Sequence, residues 1–187
     1  MIKSILIISL LLTLLLLTSV NSYAQFIPWN KDRPLTWDDF KGKKPHKSRF
    51  AAATASFIHY KLDRYSEDSI DVKVYCLFIA KKSWKRSKTP NAYLLKHEQL
   101  HFDITELYTR KLRQSFDDYQ LEHGHNSASK LKFSLISQRN RRSWHHCQNK
   151  YDRQTKHSLR RAVQEKWNKK IAKQLEEFSG EEKRLSI

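Results

Sequence analysis

His97 and His101 stand four residues apart, with Glu98 between them, in the run Leu94-Leu95-Lys96-His97-Glu98-Gln99-Leu100-His101-Phe102-Asp103. On an α-helix four residues turn about 40°, so the two imidazoles leave one face about a turn apart and can share one metal ion. Glu98 lies about 100° round the helix from His97, off the metal axis but within reach of a water beside the metal, where a general base belongs. Composition alone would produce the pattern His-Glu-x-x-His about 0.02 times in this chain, which favours a metal pair over coincidence. The competing explanations are surface histidines on a solvated helix and a metal that only holds structure.

Two histidines do not complete a catalytic zinc site, which commonly takes three protein ligands and keeps a position for water. Asp103 and Glu106 follow closely, but on a continuous helix they point about 240° and 180° from His97, away from the metal. The remaining donors are His59, His123, His125, His145, His146, Asp152, His157 and Glu165. His157 is preferred, because it falls in a break between two helical patterns, where a side chain can be aimed at a facing helix. Asp152 is the alternative ligand, or else an acceptor for an imidazole N–H. Tyr151 is either an oxyanion stabiliser or core. His145 and His146 diverge by about 100° on a helix, so only one of them could serve.

The elements that must position these residues are legible around them. Thr89 and Pro90 read as cap and first residue of a helix, whose apolar positions Tyr93, Leu100, Ile104, Leu107, Tyr108 and Leu112 run to about Phe116. Glu106 and Arg110 are spaced to pair on its outer face. Asp117 to Ser127 reads as a loop, Ala128 to Tyr151 as a second helix, and Leu159 to Phe178 as a third that Gly180 ends. Ahead of them, Ala51 to Leu62 and Ile70 to Ala80 read as two strands of a hairpin. Pro28 to Gly42 reads as an extended arm with one helical turn capped by Thr36, from which Trp37 and Phe40 plug the core. The fold class is therefore α+β, a small antiparallel sheet packed on three long helices.

The 187-residue chain begins with Lys3 and an apolar run from Ile5 to Leu17, then polar residues ending at Ala24, the pattern of a signal peptide over 1–24. That leaves 25–187 as one domain, exported to a periplasmic or secreted location. The full chain carries 36 Lys+Arg against 19 Asp+Glu; without Lys3 the balance is 35 − 19, or +16. Such an excess attracts anionic surfaces. For an exported protein these are membrane phospholipid or an anionic envelope polymer, and nucleic acid is the less natural partner. Cys76 and Cys147 could form one bridge in an oxidising compartment, or Cys76 could be a small buried strand residue.

Together, Leu35-Thr36-Trp37-Asp38-Asp39-Phe40-Lys41-Gly42, Ala53-Thr54-Ala55-Ser56, His97-Glu98-Gln99-Leu100-His101-Phe102-Asp103 and Tyr151-Asp152 with Thr155 and His157 resemble the DUF922 family, described as predicted secreted zinc-dependent proteases. The resemblance implies a zincin-like domain with Zn²⁺ as cofactor and a peptide or protein as substrate. Where that family often has a glycine after the histidine matched by His157, this chain has Ser158. The expected site is then Zn²⁺ on His97, His101 and His157, with Glu98 as base for peptide hydrolysis. Two alternatives remain open: a non-enzymatic basic envelope-binding protein with a structural metal, and a metal-dependent amidase acting on cell-wall peptide.

Overall fold

The computed structural model describes residues 25–66, 69–86, 91–124 and 130–185; residues 1–24, expected from the sequence to be a signal peptide, lie outside them, as do Thr89, Pro90 and His125. The chain is α+β, with a small antiparallel sheet and three long helices. The strands are β1 (Phe26–Pro28), β2 (Ala52–Ala53), β3 (Ser56–Ser66), β4 (Ser69–Ile79) and β5 (Trp84–Lys85). The helices are α1 (Ala92–His123), α2 (Lys130–Thr155) and α3 (Arg161–Leu185). No helix among the described residues is long and apolar enough to cross a membrane.

β3 and β4 form the expected hairpin, with Ile58 opposite Cys76 and Tyr60 opposite Val74, and β1 adds antiparallel to the other edge of β4. Alternation decides which side of β4 is covered: Val74, Cys76 and Phe78 are buried, while Lys73 and Tyr75, which alternate with them, are exposed. The single strand expected over Ala51 to Leu62 is divided, because Thr54 and Ala55 break the ladder. Ala52 and Ala53 pair instead with Lys85 and Trp84 in a separate two-stranded sheet. Ser83 ties the pieces together, its hydroxyl accepting from the Ala55 N–H at 2.9 Å and donating to the Ile79 carbonyl at 2.9 Å.

α1 lies between the sheet and the other two helices and is therefore apolar on two flanks rather than one. Phe102, Leu112 and Phe116 pack towards Phe78, Val74 and Phe133, while Leu100, Ile104 and Leu107 pack with Trp144, Tyr151, Trp167 and Ile171. At roughly 1.5–3 kcal/mol for each large side chain buried, these clusters supply much of the driving force for folding. They also hold the histidine helix from both sides.

Several boundaries differ from expectation. α1 starts at Ala92, capped by Asn91, whose side-chain oxygen accepts from the Leu94 N–H at 2.7 Å. It continues past Phe116 to His123, because Gln120 is still buried, and ends at Gly124 with φ of 82°. α3 runs past Gly180 to Leu185; glycine weakens a helix without compelling it to stop. Glu106 does pair with Arg110, at 2.8 Å, but Glu106 is buried and Arg110 largely covered rather than on an outer face, and Arg110 also donates to the Leu175 carbonyl of α3. Cys76 and Cys147 are both free thiols, so the bridge is absent.

The helical turn at Trp37–Asp39 is present, held by Asp39 reaching backwards. Its carboxylate accepts from the Thr36 N–H at 2.7 Å and from the Arg33 guanidinium at 2.6 and 3.2 Å. Burial acts to raise the pKa of Asp39, but Arg33 and the Thr36 N–H outweigh it and lower it. Beyond the turn, Gly42 crosses the β4–β5 connection, where a Cβ would lie 2.8 Å from the carbonyl oxygens of Lys81 and Ser83. The arm thus closes over the end of the sheet and delivers the 43–50 segment to the mouth of the cleft beside α1.

Candidate metal centre

His97, Glu98 and His101 project from the middle of α1, and α2 crosses α1 so that Asp152 faces them. His97 Nε2 lies 3.3 Å and His101 Nε2 3.1 Å from Asp152 Oδ1. Among the described residues these three side chains form a group able to hold a metal ion, with one donor atom from each lying within 4.8 Å of the others. Donors about 2.1 Å from a tetrahedral zinc ion are about 3.4 Å apart, so the spacing suits such an ion with little movement.

The far side of each imidazole explains why the Nε2 atoms face inward. His101 Nδ1 lies 2.6 Å from Gln148 Oε1, and that amide is oriented by its own Nε2, which donates to the His101 carbonyl at 2.8 Å and to Thr105 Oγ1 at 3.2 Å. An amide oxygen only accepts, so the His101 proton sits on Nδ1 and the Nε2 lone pair is left for a cation. His97 Nδ1 lies 3.1 Å from Gln164 Oε1 and 2.7 Å from the Tyr151 hydroxyl. The tautomers are inferred from these partners.

Two imidazole lone pairs aimed at a carboxylate oxygen require a positive charge between them, either a proton or a metal ion. The ionisation behaviour agrees. Burial acts to lower the pKa of His101, but its hydrogen bond to Asp152, the Asp152 and Glu98 charges and Gln148 prevail and raise it. Burial acts to raise that of Asp152, yet the hydrogen bonds from His101 and His97 and the nearby charges of His101 and His157 hold it well below the usual carboxylate range. Asp152 is therefore an anion at neutral pH, as a metal ligand must be.

Glu98 opens into the same cavity, of about 670 Å³, which is also lined by His97, His101, Asp152 and His157. The Glu98 side chain is buried, and Thr54 Oγ1 donates to its Oε2 at 2.8 Å and to its carbonyl oxygen at 3.1 Å. The kink between β2 and β3 turns the Thr54 hydroxyl onto Glu98.

His157 falls outside the three-donor group. Its Nδ1 meets Asp152 Oδ1 at 3.3 Å from the solvent side, and its ring packs on Phe50 at 4.6 Å. The ligand choice read from the sequence is thereby reversed in order: Asp152 stands beside both imidazoles, and His157 reaches them through it. The reason is the helix break itself. Lys156, His157 and Ser158 are all left-handed, with φ of 50°, 51° and 72°, and this turn carries His157 outward while Asp152 stays on α2 facing α1.

Tyr151 is not placed as an oxyanion stabiliser. It is fully buried, stacks on His97 at 4.7 Å, and directs its hydroxyl to His97 Nδ1 and the His97 carbonyl, on the side of the ring away from Asp152. Burial, with the Glu98 and Asp152 charges, raises its pKa, so it stays a neutral phenol. Asp103 and Glu106 point away, as helical geometry requires. Asp103 accepts from Trp29 Nε1 and from Gln99 at 2.8 Å each, and Glu106 is bound to Arg110. His145 lines the cavity beside Trp144, whereas His59 and His123 lie elsewhere, against Tyr75 and Tyr119.

Gln148 and Gln164 are site residues that motif spacing does not single out, and Thr54 falls in the Ala53–Ser56 stretch of the resemblance without a role that the sequence assigns. Gln148 was within reach, since it precedes Asp152 by four residues and so shares its helix face. Gln164 and Thr54 come from segments that only the tertiary fold brings near. No protein-family model matches the chain, and no curated protein or solved structure matches it.

Proposed function

We propose that the chain is an exported, zincin-like zinc metallopeptidase of the kind the DUF922 resemblance implies, with Glu98 as its general base. The observation that carries this is the pairing of a His97, His101 and Asp152 donor group with a buried carboxylate, Glu98, in one open cavity. A structural zinc site is closed by four protein ligands, whereas this one has three and faces a cavity that admits substrate. That contrast favours catalysis over a purely structural metal in a basic envelope-binding protein.

Zn²⁺ bound there supplies a Lewis acid that polarises a carbonyl and brings the ionisation of water towards neutral pH. The protein's own residues do the rest. Gln148 and Gln164 hold the imidazoles in the ligating tautomer, and Asp152 neutralises charge at the centre. Thr54 pins Glu98 Oε2, so that the carboxylate is in place to take a proton from water as the water oxygen adds to the peptide carbonyl carbon. Glu98 then gives that proton to the amine nitrogen as the C–N bond breaks, so that water is consumed and a carboxylic acid and an amine result.

The test is Glu98→Gln. The variant should retain metal content and lose peptide hydrolysis by at least about a hundredfold, since general-base catalysis contributes about 10²–10⁴-fold. Casein or a peptide library, with and without chelator, is the assay for protein substrates, and a peptidoglycan digest tests cell-wall peptide. Undiminished hydrolysis in Glu98→Gln would remove Glu98 from the mechanism.

A further inference from the structure

The walls of the cavity around Glu98 carry a charge pattern that the hydrolytic chemistry does not require. Two of its lining residues are acidic, and both are engaged: Glu98 by the Thr54 hydroxyl, and Asp152 by His97, His101 and His157. Two lining residues, Arg49 and Lys156, are permanent cations; both are exposed, and neither has an acidic partner among the described residues.

They come from opposite sides of the mouth and are brought together by one contact. Phe50 packs on His157 at 4.6 Å, and the Arg49 guanidinium lies over the Phe50 ring, 5.8 Å from its centre. Lys156 directly precedes His157 in the left-handed turn. The Arg49 backbone is fixed in turn, its carbonyl accepting from Arg86 Nη2 at 3.2 Å. Elsewhere the lining carries no further carboxylate: Ala51, Ala52, Ala53 and Ala55 run along one wall, Leu159 stands at the rim, and Ser56, Trp144, His145 and Gln148 line much of the remainder. With both carboxylates already engaged, the charge such a cleft leaves free is that of two cations, which suits a carboxylate better than a basic side chain.

We infer that the cleft selects peptides carrying a carboxylate side chain, Asp or Glu, beside the bond held at Glu98, with Arg49 and Lys156 as the residues that read it. This rests on the peptidase reading above for the bond's fate, but the recognition itself is measurable without turnover. The cations are exposed, so their effect is modest and salt-dependent, at roughly up to fivefold for each.

The experiment uses the Glu98→Gln protein and two labelled hexapeptides, one with glutamate flanking the central bond and its glutamine twin, read by fluorescence anisotropy at low and high salt. The expected result is tighter binding of the glutamate peptide by about fivefold or more at low salt. The preference should collapse in Arg49→Gln/Lys156→Asn, asparagine being tolerant of the left-handed backbone at 156. It should survive in Lys166→Gln/Lys169→Gln, which removes the same charge from the exposed face of α3 and so controls for the basicity of the whole chain. Equal binding of the twins, binding of neither, or a preference equally reduced by the α3 control overturns the inference. Cleavage of both peptides by the zinc-loaded parent at equal kcat/KM overturns it while leaving the peptidase reading intact. A retained binding preference with no cleavage of either peptide supports the inference and sinks the peptidase reading.

Discussion

The most informative atoms at the centre are the amide oxygens behind the histidines. An imidazole that ligates through Nε2 needs an acceptor at Nδ1, and Gln148 and Gln164 supply one to each ring. Replacing either by alanine should weaken zinc affinity about 10–100-fold in competition with a chromophoric chelator, and a change below about twofold would show that the rings are oriented by packing alone. Asp152 and His157 make unequal contributions on the same geometry. Asp152→Ala removes the anion that both imidazoles face and should abolish stoichiometric zinc on metal analysis. His157→Ala removes a group that reaches the imidazoles only through Asp152 Oδ1, and should leave most of the zinc in place. The reverse outcome would restore His157 as the third ligand. The sequence showed the His97, Glu98 and His101 constellation plainly, because helical spacing alone sets it. It ranked His157 above Asp152 because a helix break looked like the place to aim a ligand, and the direction in which a left-handed turn points is not a property of spacing.

At the scale of elements, the turn between α2 and α3 stores backbone strain beside the metal centre. Lys156, His157 and Ser158 all have positive φ, and each non-glycine residue there costs about 1–2 kcal/mol. The turn is held by the His157 N–H donating to the Asp152 carbonyl at 3.0 Å and the Arg160 N–H donating to the Thr155 carbonyl at 2.8 Å. Ser158, at φ of 72°, lies furthest of the three from the usual left-handed value of about 57°. Ser158→Gly should therefore stabilise the protein by about 0.5–1 kcal/mol after allowing for the greater freedom of glycine in the unfolded chain, raising Tm by about 2–4 °C. An unchanged or lowered Tm would mean that the serine makes a contact outweighing its strain. Helix existence was readable from the 3.6-residue apolar period in all three cases, whereas the ends were not. α1 runs seven residues beyond Phe116 (123 − 116) because tertiary contacts keep burying its polar Gln120, and apolar periodicity carries no trace of that. The two-residue β2 and β3 likewise read as one strand in the sequence, since a run of alanines gives no sign that Thr54 turns aside to Glu98.

At the scale of the whole molecule, the centre joins parts of the chain that are remote in sequence and meet only in the folded state. Its donors lie on α1 and α2, 51 residues apart between His101 and Asp152, and the amide supporting His97 lies on α3. An unfolded chain cannot present them together, so a zinc ion held by this group would bind the native state in strong preference, and its binding energy would become folding energy by mass action. At a free zinc concentration one hundred times Kd the gain is about 2.7 kcal/mol. For a domain of this size that corresponds to a rise in Tm of about 5–10 °C, removable by chelator. Glu98→Gln should show the full shift, because Glu98 lies outside the donor group. Asp152→Ala should show almost none, and its Tm without metal should already lie below that of the parent, since the mutation removes the carboxylate that pairs with His97, His101 and His157. Differential scanning fluorimetry of the three proteins with zinc, with calcium and with chelator decides the matter. Equal shifts in all three proteins would place the metal elsewhere, and a calcium shift as large as that of zinc would contradict a site whose donors are two imidazole nitrogens and one carboxylate, a set suited to zinc rather than to a hard cation.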